Sequence, residues 1–325
     1  MSLLDDYDAV LFDLDGTIYR GGEVIPAAAG AVEAAHDRNV AVKFVTNNAS
    51  RAPHTVGDQL RGMGIRADDA EVSTSAQAAA TVAKERLDAG SDVLVIGTEA
   101  LVDEIRNVGL NPVREFAPEV AGVVQGLSPD TGWRQLSEAV LAIRNGALWI
   151  ACNADATLPT ERGQLVGNGA MVAAVRTATQ QEPIVAGKPE APLMRAAAEG
   201  STKPLAVGDR LDTDIAGAVN AGMDALLVFT GVSTPRDLLN TPPKLRPRFV
   251  AADVGALIED DDLEIAEQAD WAVDEDIAWR GAGDPDPLGL LRALCAAHDH
   301  LPENLRAADD KAAKALRDLG LDEID

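Results

Sequence analysis

Residues Val10, Leu11 and Phe12 run without a polar break into Asp13-Leu14-Asp15-Gly16-Thr17. A short apolar run ended by a turn signal reads as a buried strand of a parallel sheet. In open α/β sheets such strands deliver functional groups at their carboxyl ends. Two carboxylates two residues apart then stand where the strand stops, and Gly16 lets the backbone turn sharply beside them. A bare Asp-x-Asp-Gly is equally a strand end that caps the next segment, so the rest of the chain has to decide.

The next segments keep the same rhythm. Pro26 opens a helix, Ala27 to Asp37. The strand Val40 to Val45 runs into the polar cluster Thr46-Asn47-Asn48-Ala49-Ser50, and the helix Pro53 to Met63 stops at Gly64. Strand, helix, strand, helix predicts a parallel sheet with right-handed crossovers. Residues 73 to about 185 read as a second α/β block, with strands Asp92–Ile96, Val120–Gln125 and Ala147–Ala151. Its helices are Ser75–Leu87, Glu99–Asn107, Trp133–Arg144 and Ala170–Thr179, and a loop runs from Cys152 to Gly169. The first pattern then resumes. Gly187-Lys188-Pro189 precedes the helix Ala191–Glu199, and the strand Pro204–Val207 ends in Gly208-Asp209-Arg210-Leu211-Asp212-Thr213-Asp214. The helix Ile215–Ala221 and the strand Ala225–Phe229 come next. The expected fold is α/β: a doubly wound, parallel, Rossmann-like core interrupted by an inserted α/β domain and followed by an acidic C-terminal extension. The expected boundaries are 1–73 and 186–252 for the core, 74–185 for the insertion and 253–325 for the extension. In that extension two helices are predicted, Leu288–His298 and Asn304–Leu319.

A chain of 325 residues suggests about two domains. Its net charge of −25 argues against nucleic acid as a partner, because phosphate backbones would be repelled. It also disfavours an anionic membrane surface, and no apolar run approaches the roughly 20 residues that span a bilayer. The N-terminal Met1-Ser2-Leu3-Leu4-Asp5-Asp6 lacks the basic region of a secretory signal. Cys152 and Cys295 match no metal or redox spacing, which suits a reducing cytoplasm. From Glu259 onward the chain carries 20 acidic and 6 basic residues, read as a solubilising surface. A small phosphorylated metabolite remains an acceptable partner, because local cations and a metal override the global field.

Four polar clusters thus lie at strand ends or loop starts: Asp13/Asp15, Thr46/Asn47, Lys188 and Asp209/Asp214. Carboxylates, a hydroxyl and an ammonium are what metal-assisted phosphoryl transfer to an aspartate needs. The ammonium and hydroxyl would hold phosphate oxygens. Taken singly, each has a blander reading. Thr46 and Asn47 satisfy a turn, and Lys188 is an exposed loop lysine. Gly167 to Gly169 shape a helix entry, Asp212 is a helix N-cap, and Trp133 packs.

The order and surroundings of these clusters resemble the haloacid dehalogenase-like phosphatases. Asp13-Leu14-Asp15-Gly16-Thr17 matches the first motif of that superfamily, Thr46-Asn47-Asn48 the second, Gly187-Lys188-Pro189 the third, and Gly208 to Asp214 the fourth. An insertion between the second and third motifs, carrying Asn153-Ala154-Asp155 and Gly167-Asn168-Gly169-Ala170, is similar to the α/β cap of the p-nitrophenylphosphatase branch, subclass IIA. The resemblance covers about residues 7–252. It implies that Asp13 is the nucleophile and Asp15 the acid/base, and that Thr46, the Asn47 backbone and Lys188 hold the phosphoryl group. It further implies Mg2+ on Asp13, the Asp15 carbonyl and Asp209, with Asp214 in support. Substrate contacts are expected from Thr46, Asn47, Asn48, Asp155, Leu158 and Lys188. Caps of this branch take part in dimer contacts, so a homodimer is allowed for.

The cap loop Asp155-Ala156-Thr157-Leu158-Pro159 resembles the specificity loop of phosphatases acting on glycerol phosphate and phosphoglycolate. Relatives acting on pyridoxal phosphate carry a histidine where Leu158 stands. The expectation is therefore glycerol 3-phosphate first and 2-phosphoglycolate second, with pyridoxal phosphate or a nucleotide as alternatives. A phospho-accepting receiver-like signalling domain is the rival from another class. Asp15 beside the acceptor and the inserted domain count against it. A phosphosugar mutase would need a cap directly after the first motif, where only Tyr19 to Val24 intervene. The extension matches no catalytic motif, and a chain ending near Ala252 is expected to keep the chemistry if it stays soluble.

Overall fold

The structure is a computed structural model that describes residues 2–160, 162–302 and 305–322. It divides into two compact units, residues 1–42 with 201–325, and residues 43–200. The N-terminal Met1 and the predicted helix start at Asn304 lie outside the described residues.

In the first unit four parallel strands lie in the order Phe249–Ala251, Asp224–Val228, Pro204–Gly208, Ala9–Phe12. The strand Ala9–Phe12 is buried along its whole length, as its unbroken apolar sequence requires. Its register against the neighbour runs from Ala9 opposite Pro204 to Phe12 opposite Val207, and the neighbour ends one residue later, at Gly208. The helix Ala28–Asp37 buries Ala28, Ala31, Val32 and Ala35, a spacing of three and four that makes one apolar stripe. The strand Ala41–Thr46 starts with Ala41 donating its N–H to the Asp8 carbonyl, 3.0 Å, and carries the chain into the second unit.

The extension is part of this unit's core. Val250 donates to the Leu263 carbonyl and Ile265 to that of Arg248, each at 2.9 Å, so residues 263–265 cover the edge strand Phe249–Ala251. A hairpin, Trp271–Val273 with Ile277–Trp279, pairs Trp271 with Trp279. The helix Pro287–Ala297 starts where expected. Its N-cap Asp286 accepts from the Leu288 and Gly289 N–H groups, and Leu290, Leu291 and Leu294 are fully buried. The second predicted helix is shorter, Asp310–Asp318, with Asp309 as its cap. The acidic composition hid the hairpin, whose three-residue strands are too short to show a period.

The second unit pairs Ala41–Thr46 with Val72–Thr74 in parallel and contains a five-stranded parallel sheet. The order in that sheet is Ile184–Val185, Leu148–Ala151, Gly122–Gln125, Asp92–Ile96, Asn111–Val113. Leu94, Ile96, Val123, Ile143 and Trp149 fill its core. Two expectations fail here. The stretch read as one loop, Cys152 to Gly169, contains an antiparallel hairpin, Thr157–Thr160 with Gly163–Val166. Its strands are mostly exposed, so no buried face marks them in the sequence. Trp133 is not packed: it is 81% exposed at the start of the helix Trp133–Arg144.

Candidate active site

Asp13 and Asp209 each follow the last residue of adjacent parallel strands whose ends are one residue apart, so both side chains leave the sheet at the same end. The Asp13 N–H still reaches the Val207 carbonyl, 2.9 Å. Asp214 returns to the same place through a wide helical turn, Leu211–Ile215, in which its N–H bonds the Arg210 carbonyl and its Oδ2 accepts the Arg210 N–H at 3.1 Å. One carboxylate oxygen from each of Asp13, Asp209 and Asp214 lies within 4.8 Å of the others. Asp209 and Asp214 are buried and Asp13 is half-buried.

Glycines make this packing possible. A Cβ on Gly208 would come within 2.3 Å of the Asp214 Cβ, and one on Gly231 within 1.9 Å of Asp209 Oδ2. Gly16 sits at φ +93°, and a Cβ there would meet the Asp209 carboxylate at 2.5 Å. Val232 donates its N–H to Asp209 Oδ2 at 2.7 Å, Ser233 donates to the Asp209 carbonyl, and the Thr230 hydroxyl donates to the Gly16 carbonyl. The sequence reading missed this loop, Thr230 to Ser233. Its only signal was a glycine and two hydroxyls just past a strand end. Three carboxylates so close repel one another unless a cation sits among them. An all-oxygen donor set without sulfur or imidazole suits a hard divalent cation. Among the described residues this is the one such cluster, and it fits the metal the motif implied.

Asp15 lies just beyond the cluster. It is exposed, and its Oδ1 accepts the Gly21 N–H at 3.4 Å. Asp212 corrects an expectation: it caps no helix. Arg210 reaches its carboxylate from Nε at 3.0 Å and Nη2 at 2.8 Å, and this pairing holds the Asp212 carboxyl below the ordinary range.

In the second unit Thr46 ends its strand, and its Oγ1 accepts the Asn48 N–H at 3.1 Å. Asn48 Oδ1 closes a turn onto the Ser50 N–H and hydroxyl, at 2.8 and 2.7 Å, so this side chain is engaged locally. Lys188 is not an exposed loop lysine. It is 3% exposed, and its Nζ donates to the Val45 carbonyl at 3.2 Å. Asn47 meets Lys188 through both halves of its amide. Its Oδ1 accepts the Lys188 N–H at 2.8 Å, and its Nδ2 donates to the Lys188 carbonyl at 2.9 Å. Gly187 allows that approach, since a Cβ there would stand 2.6 Å from Asn47 Oδ1. Asp155 also reaches Asn47, with both carboxylate oxygens 3.3 Å from Nδ2. Leu158 is half-buried in the hairpin, opposite Leu165.

Neither cysteine offers a nucleophile. Both are buried and free; burial pushes the Cys295 thiol up to about 12 and that of Cys152 higher still. Among the described residues no helix is long and apolar enough to cross a membrane.

Comparison with known protein families matches the chain in three parts. The family of haloacid dehalogenase-like hydrolases matches residues 10–111, and a HAD-hydrolase-like family matches residues 185–257. Residues 268–321 match a GCN5-related N-acetyltransferase-like domain. The chain is 43% identical to the D-glycerol 3-phosphate phosphatase of Mycobacterium tuberculosis, over 97% of this chain and 95% of that one. It is 41% identical to the 5′-nucleotidase YutF of Bacillus subtilis, over 70% of this chain and 89% of that one. A crystal structure of glycerol phosphate phosphatase from Mycobacterium tuberculosis in complex with magnesium superposes with a TM-score of 0.91, at 42% identity, covering 99% of both chains.

Proposed function

The chain belongs to the haloacid dehalogenase-like hydrolases, and on that premise we propose that it is a magnesium-dependent phosphatase whose substrate is glycerol 3-phosphate. The observation that carries this reading is the cluster of Asp13, Asp209 and Asp214 past the ends of two adjacent parallel strands, with Asp15 two residues beyond Asp13. The choice of substrate rests on the full-length likeness to a glycerol 3-phosphate phosphatase and on Leu158, which has no hydrogen bond to offer a ring.

In this reading the Asp13 carboxylate attacks phosphorus, and the alkoxide leaves with a proton from Asp15. Asp15 then takes a proton from water, whose oxygen attacks the aspartyl phosphate, freeing inorganic phosphate and restoring Asp13. Asp15 is exposed, as a group that exchanges protons with water and with a leaving group must be. The Thr46 hydroxyl, the Asn47 N–H and the Lys188 ammonium hold the phosphoryl oxygens. Asp13, Asp209, Asp214 and the Asp15 carbonyl would hold magnesium. That ion, when bound, neutralises charge between the carboxylates and the phosphate. Asp155 and Leu158 are the residues this reading assigns to contact with the alcohol.

The functional division of the chain is taken to follow the motifs, with 1–73 and 186–252 as core and 74–185 as cap. The protein is read as a cytoplasmic homodimer, to which the exposed Trp133 and Leu141 on one cap helix offer apolar surface. Sedimentation at micromolar concentration tests the dimer.

The substrate is tested by measuring phosphate release, with and without Mg2+, from glycerol 3-phosphate, 2-phosphoglycolate, pyridoxal 5′-phosphate and a nucleoside monophosphate. We expect kcat/KM highest for glycerol 3-phosphate and no turnover after chelation. A preference of about tenfold, or 1.4 kcal/mol of transition-state binding, for either ring-bearing compound would overturn the choice.

A further inference from the structure

We propose that the Asn47 side chain is a positioning residue for Lys188, and that residues Asn153 to Asp155, clamped by Gly167-Asn168-Gly169, hold Asn47 in register. The inference rests on the phosphatase reading above, in which Lys188 holds the transferring phosphoryl group. The bonds from Oδ1 and Nδ2 of Asn47 to the N–H and C=O of Lys188, at 2.8 and 2.9 Å, make one side chain serve as a strand-like partner for a residue 141 positions away. The lysine is then tied at its far end as well, since its Nζ donates to Val45, two residues before Asn47. Backbone and ammonium of Lys188 thus both take their position from the same strand end. A buried ammonium on a four-carbon stem has several rotamers; fixing both of its ends leaves few.

Asn47 is itself held. Its carbonyl accepts the Ser75 hydroxyl at 2.5 Å and Asn153 Nδ2 at 2.7 Å, while Nδ2 also faces the Asp155 carboxylate. The loop that supplies Asn153 and Asp155 is locked in turn. Asn168 Nδ2 donates to the Asn153 carbonyl, and the Gly169 N–H donates to that of Asp155, each at 2.8 Å. A Cβ at Gly167 would stand 2.3 Å from the Asp155 carbonyl oxygen, and one at Gly169 2.1 Å from that of Ala154. The glycines therefore do more than open a helix: a side chain at either would push the loop off Asn47. Displacing a group that contacts the transition state by about 1 Å costs on the order of 10²-fold in rate.

A double-mutant cycle separates positioning from general structure. Phosphate release from p-nitrophenyl phosphate, and from the best metabolite found, is measured for wild type, Asn47→Ala, Asn153→Ala and Lys188→Ala, and for each asparagine change combined with Lys188→Ala. Asn47→Ala is expected to lower kcat about 10²-fold and Asn153→Ala by less, with the Mg2+ concentration for half-maximal rate unchanged. In the Lys188→Ala background both asparagine changes should cost no more than about twofold. If Asn47→Ala does not give a cooperative melt, Asn47→Ser replaces it in the cycle; its short hydroxyl stays polar but cannot reach both the N–H and the C=O of Lys188. Penalties that are as large without the lysine ammonium as with it overturn the inference and leave the phosphatase reading standing. A wild-type protein that releases no phosphate from any phosphomonoester with Mg2+ overturns both.

Discussion

Two regions of the first compact unit are held by opposite means. At the carboxyl ends of the strands, Asp13, Asp209 and Asp214 crowd together, kept in place by backbone N–H groups and by glycines that leave no room for a side chain. At the sheet's edge, the extension buries Leu290, Leu291 and Leu294, and the buried Arg246 is among the side chains that fasten it. Arg246, 8% exposed, donates to five backbone carbonyls, those of Leu239, Thr241, Cys295, His298 and Asp299, at 2.6 to 2.9 Å. Several of those carbonyls close the end of the helix Pro287–Ala297, where orphan acceptors and the dipole favour a cation. The first region stores repulsion that a cation relieves; the second supplies stability. Nothing in the acidity of the two stretches distinguishes them, so charge composition is a poor guide to which carboxylates do chemistry.

The sharpest way to break this contrast is to delete the extension. A chain ending at Ala252 exposes the edge strand and gives up three buried leucines worth about 1.5–3 kcal/mol each, against a typical domain stability of about 5–15 kcal/mol. We expect no soluble folded protein, so that the solubility on which the sequence-based expectation was conditioned is not met. A cooperative thermal melt by circular dichroism, with retained turnover, would refute the structural role.

Asp13→Asn tests the other side. Turnover should fall on the order of 10⁴-fold or more, the scale on which nucleophile removal acts. The metal-free melting temperature should hold or rise, because one of three crowded charges is gone. Near-normal phosphate release by the folded variant would end the aspartyl-phosphate mechanism.

Arg246→Ala should show the reverse pattern. Leaving buried carbonyls without a donor is expected to cost about 2–4 kcal/mol in denaturant unfolding, while kcat/KM on the surviving folded protein stays within about twofold. A variant as stable as wild type would mean that water replaces the guanidinium.

The smallest effect concerns the amino end of the same sheet, where Asp224 is paired rather than crowded. Burial pushes its carboxyl up, but the Tyr7 hydroxyl and Arg248 outweigh that and hold it below the ordinary range. Arg248 also bonds Glu264, so this group ties the extension to the core. A depressed carboxylate contributes stability above its unfolded value of about 3.9 and loses it as pH falls through the folded value. Stability should therefore be insensitive to this group between about pH 5 and 8 and fall below about pH 4, with Asp224→Asn flattening that fall in pH-dependent melts.

Much of this molecule was legible from local pattern. The buried strand before Asp13, the crossover helices, the insertion between Asn48 and Gly187, and the four motif positions are all readable from apolar runs, turn residues and spacing. These signals act over two to four residues and survive without knowledge of the fold. Tertiary structure alone decided the pairings. Asp212 turned to Arg210 because a wide turn carried Asp214, not Asp212, to the cluster. Thr230 to Ser233 became the support for Asp209 because their strand lies next but one to Ala9–Phe12. Asn47 met Lys188 across 141 residues, and the acidic extension turned out to bury an apolar helix against an edge strand. Each of these depends on the register between segments far apart in the chain, which side-chain periodicity does not encode.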